Sequence, residues 1–308
     1  MLNNRQERIT DMKNAIKLEN VTKKYKDFTL GEINLEIPCG FSTALIGSNG
    51  SGKTTLLDVM CNICGKNSGK ITYFDKYTDV DEPDVRNNIG YCAANNFFPL
   101  DWTSKKVAYV MELAFSNFKR EKFISLCNKM KIDTPDKRKQ KKIMKMSDGN
   151  KMRLYLAAIL ARDSKFLILD EPASALDPLM RDMLCDMFRE YLAEKEDRTI
   201  LFSTHNIADM EFVTDYAVFM AAGKVVEKGF VEELKEKYRL IHGSGETLKS
   251  LSQYLISYTA NSTMFEGICL TEHSSVFQKL DAAIEIPTLQ QLSVGILRKA
   301  EKDTTEEE

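Results

Sequence analysis

The stretch Gly47-Ser48-Asn49-Gly50-Ser51-Gly52-Lys53-Thr54-Thr55 fits G-x-x-x-x-G-K-[ST] and follows an apolar run, Thr43-Ala44-Leu45-Ile46. Few patterns constrain a fold as tightly, because this one needs a strand, a tight loop and a helix in that order. Gly47, Gly50 and Gly52 let backbone N–H groups turn inward around an anion where larger residues would obstruct it. Lys53 adds a point charge, Thr54 offers a hydroxyl to Mg²⁺, and the helix starting near Lys53 aims its partly positive N-terminus at the same place. Ser48, Asn49, Ser51 and Thr55 complete the cradle. A glycine-rich linker would not be followed by the apolar helical residues Leu56, Leu57, Val59 and Met60.

Phe166-Leu167-Ile168-Leu169 is a second apolar run, and it ends in Asp170-Glu171-Pro172. This places two carboxylates at the C-terminal end of a buried parallel strand, the edge at which open α/β sheets bind ligands. Asp170 is suited to the Mg²⁺ shell and Glu171 to polarising an attacking water.

In this order the elements resemble the nucleotide-binding subunit of an ATP-binding cassette (ABC) transporter, over about residues 15–240. Leu18 to Tyr25 is similar to the family's opening strand, whose aromatic residue, here Tyr25, stacks on adenine. Met146-Ser147-Asp148-Gly149-Asn150 stands where the family's LSGGQ motif belongs, with Ser147 a favourable N-cap and an apolar helix after it. Ser174-Ala175-Leu176-Asp177-Pro178 is similar to the D-loop, and Leu201-Phe202-Ser203-Thr204-His205 ends in the position of the switch histidine. The resemblance implies ATP and Mg²⁺ as cofactors, with Thr54 and Asp170 on the metal. Lys53, Glu171 and His205 are implied as catalytic, and Ser147, Gly149 and Asp177 as further nucleotide contacts. Two chains would sandwich two ATP molecules head to tail, as a homodimer or as a heterodimer with another cassette.

Two positions depart from the family pattern. Ala94 stands where a glutamine normally reaches the metal, with Asn95 or Asn96 able to supply an amide after a one-residue slip. Asp148 replaces a frequent glycine, and a carboxylate there would oppose phosphate unless it turns outward.

The formal net charge of −2 gives no nucleic-acid footprint, and seven cysteines without a signal-like start argue for reduced thiols over a disulfide framework. Cys61-x-x-Cys64 lacks a second pair to complete a zinc site. No apolar run reaches the ~18 residues of a membrane span, so the expected permease is a separate chain and the expected location is the cytoplasmic face of the membrane.

The expected fold class is α/β: a P-loop NTPase (RecA-like) core, an antiparallel β-subdomain and an inserted helical subdomain at about 95–163, plus a small C-terminal accessory region. Residues 1–14 read as a flexible extension, 15–240 as the ATPase domain, 241–300 as the accessory region after a joint at His242-Gly243-Ser244-Gly245, and 301–308 as a disordered acidic tail. Ile286-Pro287-Thr288-Leu289-Gln290-Gln291-Leu292 is similar to an ending found in many bacterial exporters, which favours export of peptides or drug-like compounds. A degenerate ATP-binding regulator, the weak half of a heterodimer and a non-transport cassette ATPase remain the alternatives.

Overall fold

The computed structural model describes residues 13–94, 97–279 and 282–307, so Asn95 and Asn96 lie outside the described residues, as does 1–12 of the expected extension. By contacts the described chain divides into two units, 13–43 with 54–204 and 44–53 with 205–307.

The first unit opens with β1 (Asn14–Lys24) and β2 (Thr29–Pro38), paired antiparallel. Along β2 the buried Ile33, Leu35 and Ile37 alternate with exposed Glu32, Asn34 and Glu36, the period-two pattern of a half-buried sheet. The fully buried β3 (Ser42–Ile46) leads into the glycine-rich loop and α1 (Lys53–Met60). β4 (Ser68–Tyr73) joins the other edge of β1, giving the order β2-β1-β4. The short α2 (Pro83–Asn88) delivers β5 (Ile89–Cys92). Helices α3 (Ser104–Ala114), α4 (Arg120–Lys129) and α5 (Asp148–Leu160) follow, within the segment where the sequence places a helical subdomain. Phe97, Phe98 and Trp102 pack as an aromatic cluster on one another and on Tyr155 of α5. β6 (Phe166–Leu169) is buried at every residue; α6 (Pro178–Glu194) and β7 (Thr199–Thr204) come next. β5, β6 and β7 pair in parallel, with Ile89 opposite Phe166 and Phe166 opposite Thr199. Strands covered on both faces read as continuous apolar runs, which is why they are visible in the sequence.

In the second unit β8 (Tyr216–Ala221) neighbours the end of β3 and forms a hairpin with β9 (Lys224–Phe230). The chain passes through α7 (Val231–Lys237) into β10 (Tyr238–Ser244), α8 (Gly245–Leu251), β11 (Leu255–Ala260), β12 (Met264–Leu270), α9 (Ser274–Gln278) and β13 (Ala283–Glu285). These strands form an all-antiparallel sheet in the order β11-β12-β10-β13, a ferredoxin-like split β-α-β-β-α-β. Its core gathers Ile241, Leu251, Phe265, Cys269 and Phe277. The joint expected at 242–245 is thus corrected: His242 to Ser244 complete an interior strand, and the phenyl ring of Phe265 occupies the space beside Gly243 that a side chain would need.

The last helix, α10 (Leu289–Glu307), buries Leu289, Leu292 and Ile296 and packs against β8, β9, β11 and β12. Residues 301–307, expected as part of a disordered acidic tail, continue this helix. Its first turn is held by Glu211, whose Oε1 accepts from the Leu289 amide at 2.9 Å and from Lys235 Nζ at 2.9 Å. Among the described residues no helix is long and apolar enough to cross a membrane.

Candidate functional site

Each unit carries part of the residue set that the sequence singles out. In the second unit, Gly50 and Gly52 take φ of 81° and 101°, the left-handed conformations that let the loop close. Lys53 is buried, and its Nζ donates to the carbonyls of Gly47 at 2.8 Å and Ser48 at 3.1 Å. The ammonium therefore sits inside the loop it is meant to serve. Ser48, Asn49 and Gly50 are exposed while Ser51 is buried, its backbone carbonyl taking the Gly223 amide at 3.0 Å. His205, the first residue after β7, is exposed.

In the first unit, Thr54 Oγ1 donates to Asp170 Oδ2 at 2.9 Å, which joins the start of α1 to the end of β6. Asp170 is buried, and its other oxygen accepts from Ser203 Oγ at 2.5 Å. The same Ser203 Oγ accepts from the Glu171 amide at 2.8 Å. Leu169 pairs with Phe202 in the β6–β7 register, so the next residues on each strand meet at the sheet's C-terminal edge. Glu171 has φ of 48°, a left-handed conformation costing about 1 kcal/mol or more in a non-glycine residue. Strain of this kind collects where a side chain must be aimed. Tyr91 donates to Asp58 Oδ1 at 2.8 Å, yet burial, with the added charge of Asp170, holds the Asp58 carboxyl above its usual range. The Thr54 hydroxyl and the Asp170 carboxylate are both hard oxygen donors, a pair that fits a divalent cation such as Mg²⁺.

The LSGGQ-like and D-loop segments form one block. Ser147 caps α5, its side chain accepting from the Asn150 amide at 3.4 Å. A Cβ at Gly149 would lie 2.8 Å from the Ala175 carbonyl, so the D-loop backbone occupies the space that only glycine leaves open. Arg153 Nη2 donates to Asp177 Oδ2 at 2.7 Å, and Asp177 Oδ1 caps α6 by accepting from Met180 at 3.1 Å. The structure thus shows Asp177 tying helices together, where the sequence suggests a nucleotide contact. Asp148 is 82% exposed and paired with Lys151 at 2.9 Å, which partly neutralises its charge.

Tyr25 is 49% exposed, with Lys23 Nζ 5.2 Å over its ring. Thr55 is half-buried in α1, and Ala94 is half-buried after β5. Ser203 and Arg153 were not singled out from the sequence as site residues. A hydroxyl at the penultimate position of an apolar strand was the only trace of the first.

The ABC transporter family pattern matches residues 30–174. A lantibiotic transport ATP-binding protein, SrtF of Streptococcus pyogenes, is 30% identical over 222 residues, covering 68% of this chain and 89% of that protein. The chain belongs to the ABC transporter ATP-binding family. As a member it is an ATPase and the ATP-binding subunit of a transporter. A choline transport ATP-binding protein, OpuBA of Bacillus subtilis (strain 168), is 28% identical over 281 residues, covering 84% of this chain and 73% of that one. The fold matches a solved dimeric structure of the ATP-binding cassette MJ0796 in a post-hydrolysis state bound to ADP and Pi, with a TM-score of 0.61, 20% identity, and coverage of 70% of this chain and 98% of that one. These matches bear out the P-loop ABC ATPase fold.

Proposed function

We propose that this ABC ATPase pairs with a second cassette on binding ATP, hydrolyses it with Mg²⁺, and drives a separate membrane permease from the cytoplasmic face, exporting peptides or drug-like compounds. The observation that carries this reading is the Thr54–Asp170 hydrogen bond, which holds a hydroxyl and a carboxylate oxygen together at the end of the phosphate loop. Thr54 and Asp170 would hold Mg²⁺, which supplies charge neutralisation to the transferring phosphoryl group. Lys53 exchanges its loop carbonyls for phosphate oxygens. Glu171 takes a proton from the attacking water, held in place through its backbone by Ser203. His205, following β7, contacts the γ-phosphate. Ser147 and Gly149 close the partner's site with the N-terminus of α5.

The lean to export rests on the Pro287-Thr288-Leu289-Gln290-Gln291-Leu292 ending, and the lantibiotic relative is in keeping with it. The choline relative favours no such direction. Transport in inside-out vesicles carrying the co-purified permease decides it: export requires ATP-driven uptake into the vesicle lumen.

Glu171→Gln should keep ATP binding and accumulate a closed dimer, whereas Lys53→Ala should bind ATP poorly. Parental turnover by Glu171→Gln with the permease present would show that the base lies elsewhere. Mixtures of Ser147→Arg and Lys53→Ala chains should regain partial activity, since one composite site then carries neither lesion. A second reading, a slow cassette acting as regulator or as the weaker half of a heterodimer, is favoured by Ala94 and Asp148. It requires turnover that rises in Ala94→Gln.

A further inference from the structure

Residues 131–145, between α4 and the LSGGQ-like segment, carry seven cationic side chains and two carboxylates in a chain whose formal net charge is −2. The nucleotide chemistry uses none of them. Both carboxylates are engaged, Asp133 with Lys137 at 2.5 Å and Asp136 with Arg120 at 3.3 Å. Arg138, Lys139, Lys141, Lys142 and Lys145 are exposed and make no ion pair among the described residues.

A run of like charges is ordinarily an extended, solvated connector. Here one side chain holds it in shape. Gln140 Oε1 accepts from Ser104 Oγ at 3.2 Å and from the Lys105 amide at 3.0 Å, at the start of α3. Its Nε2 donates to the carbonyls of Thr134, Pro135 and Lys137 at 3.0, 2.6 and 3.1 Å. The amides of Ile143 and Met144 then bond to the carbonyls of Trp102 and Leu100, each at 2.8 Å, and the Ile143 side chain is buried. The basic loop is thereby laid across the N-terminus of α3, which adds the exposed Lys105 and Lys106.

Apolar side chains stand among these charges. Met144 is 60% exposed, as is its backbone partner Leu100 in large part, at 45%. Lys106, Tyr109 and Leu113 share one exposed face of α3, with Lys106 Nζ 5.2 Å over the Tyr109 ring. Single exposed hydrophobics need no explanation, but several on one polybasic face mark a contact surface. Of the carboxylates alongside, Glu112 pairs with Arg120 at 3.1 Å, and Asp101 is exposed beside Leu100.

The composition of the face selects its partner. Arg138 is its single arginine, and recognition of nucleic acid favours the planar fork of arginine and open aromatic rings for the bases. Lysines around apolar side chains suit a diffuse anionic surface with a nonpolar interior. We infer that this face docks on the surface of an anionic bilayer, its lysines against lipid phosphates and Met144 and Leu100 in the headgroup layer. The inference deepens the proposed membrane location, and vesicles that hold no permease test it apart from that reading.

The full chain is sedimented with sucrose-loaded vesicles of phosphatidylcholine alone and of phosphatidylcholine with a third phosphatidylglycerol. At about 0.1 M salt the anionic vesicles should retain the chain about tenfold or more better than the neutral ones, and higher salt should release it. The combined variant Lys139→Gln, Lys141→Gln, Lys142→Gln should lose about tenfold or more in vesicle affinity, since each lysine near an anionic surface contributes about fivefold. Its melting temperature and ATP binding should stay at the parental values. Met144→Ser should weaken vesicle binding about threefold or more with the salt dependence unchanged. The surface is refuted if neutral and anionic vesicles retain the chain equally, or if either variant binds as the parent does. It is also refuted if a DNA oligonucleotide at the same phosphate concentration strips the chain from the vesicles, which would assign the face to nucleic acid. In each of these cases the ATPase and permease reading stands.

Discussion

Ser203 shows how a site residue can be decisive and still go unnoticed in the sequence. Its hydroxyl holds Asp170 and the Glu171 backbone at once, through bonds of 2.5 and 2.8 Å. A hydrogen bond to a charged group contributes about 1.5–3 kcal/mol. Ser203→Ala should therefore lower Mg²⁺-dependent turnover about tenfold or more while leaving nucleotide binding without Mg²⁺ close to the parent. Steady-state ATPase assays beside nucleotide titrations in EDTA separate the two effects. The phosphate loop was legible because its glycines, Lys53 and Thr54 act through their own backbone and side chains at fixed spacing. Ser203 acts through the register of β6 against β7, a long-range pairing that no local pattern records. Asp148 was legible as a departure from the family pattern, but its pairing with Lys151 was not.

Helix ends carry the next level of organisation. Gly149 lies in the first turn of α5 under the Ala175 carbonyl, so Gly149→Ala must push the D-loop by a few tenths of an ångström or more. Such a shift is expected to reduce turnover with little change in melting temperature, since few apolar contacts are lost. At the start of α10, Glu211 plays the part of the cap. Burial raises its carboxyl, but the hydrogen bonds from Leu289 and Lys235 and the charge of Lys235 outweigh this, and it stays below the ordinary value of 4.5. A carboxyl depressed in the folded chain stabilises fully above its unfolded pKa, and the contribution is lost as pH falls through the folded value. The melting temperature of Glu211→Gln should thus lie below the parent's near pH 7 and converge with it as pH drops below 4.5. A gap that stays constant down to acid pH would rule out this role for the charge. The helical spacing of Leu289, Leu292 and Ile296 announced α10, but nothing near it in sequence announced Glu211.

For the whole molecule, the accessory region is an insertion with a closed neck. Lys235 precedes β10, Leu289 follows β13, and both bond to the same Glu211 carboxylate. Its architecture escaped sequence reading because β13 is three residues long and the glycines at 243 and 245 imitate a hinge. Truncating the chain after Gly245 would strand β10 without β12 or β13 and uncover the seat of α10. Replacing 238–285 with a short glycine-serine linker keeps α10, and it should preserve a cooperative melt and ATP binding, which circular dichroism and nucleotide titration can follow. Loss of both on excision would show that the neck does not hold by itself.

A neck pinned at one carboxylate also divides the second unit by opening energy. The ferredoxin-like insertion has its own core around Ile241, Phe265 and Phe277, so it can open and reclose while the first turn of α10 stays held at Glu211. Amide hydrogens of β10 to β13 should then exchange as one group, ahead of those in β8 and in the first turns of α10. Variation in the insertion would reach β8 chiefly through α10, which packs against β11 and β12 as well as β8 and β9, while the pin at Glu211 stays unchanged.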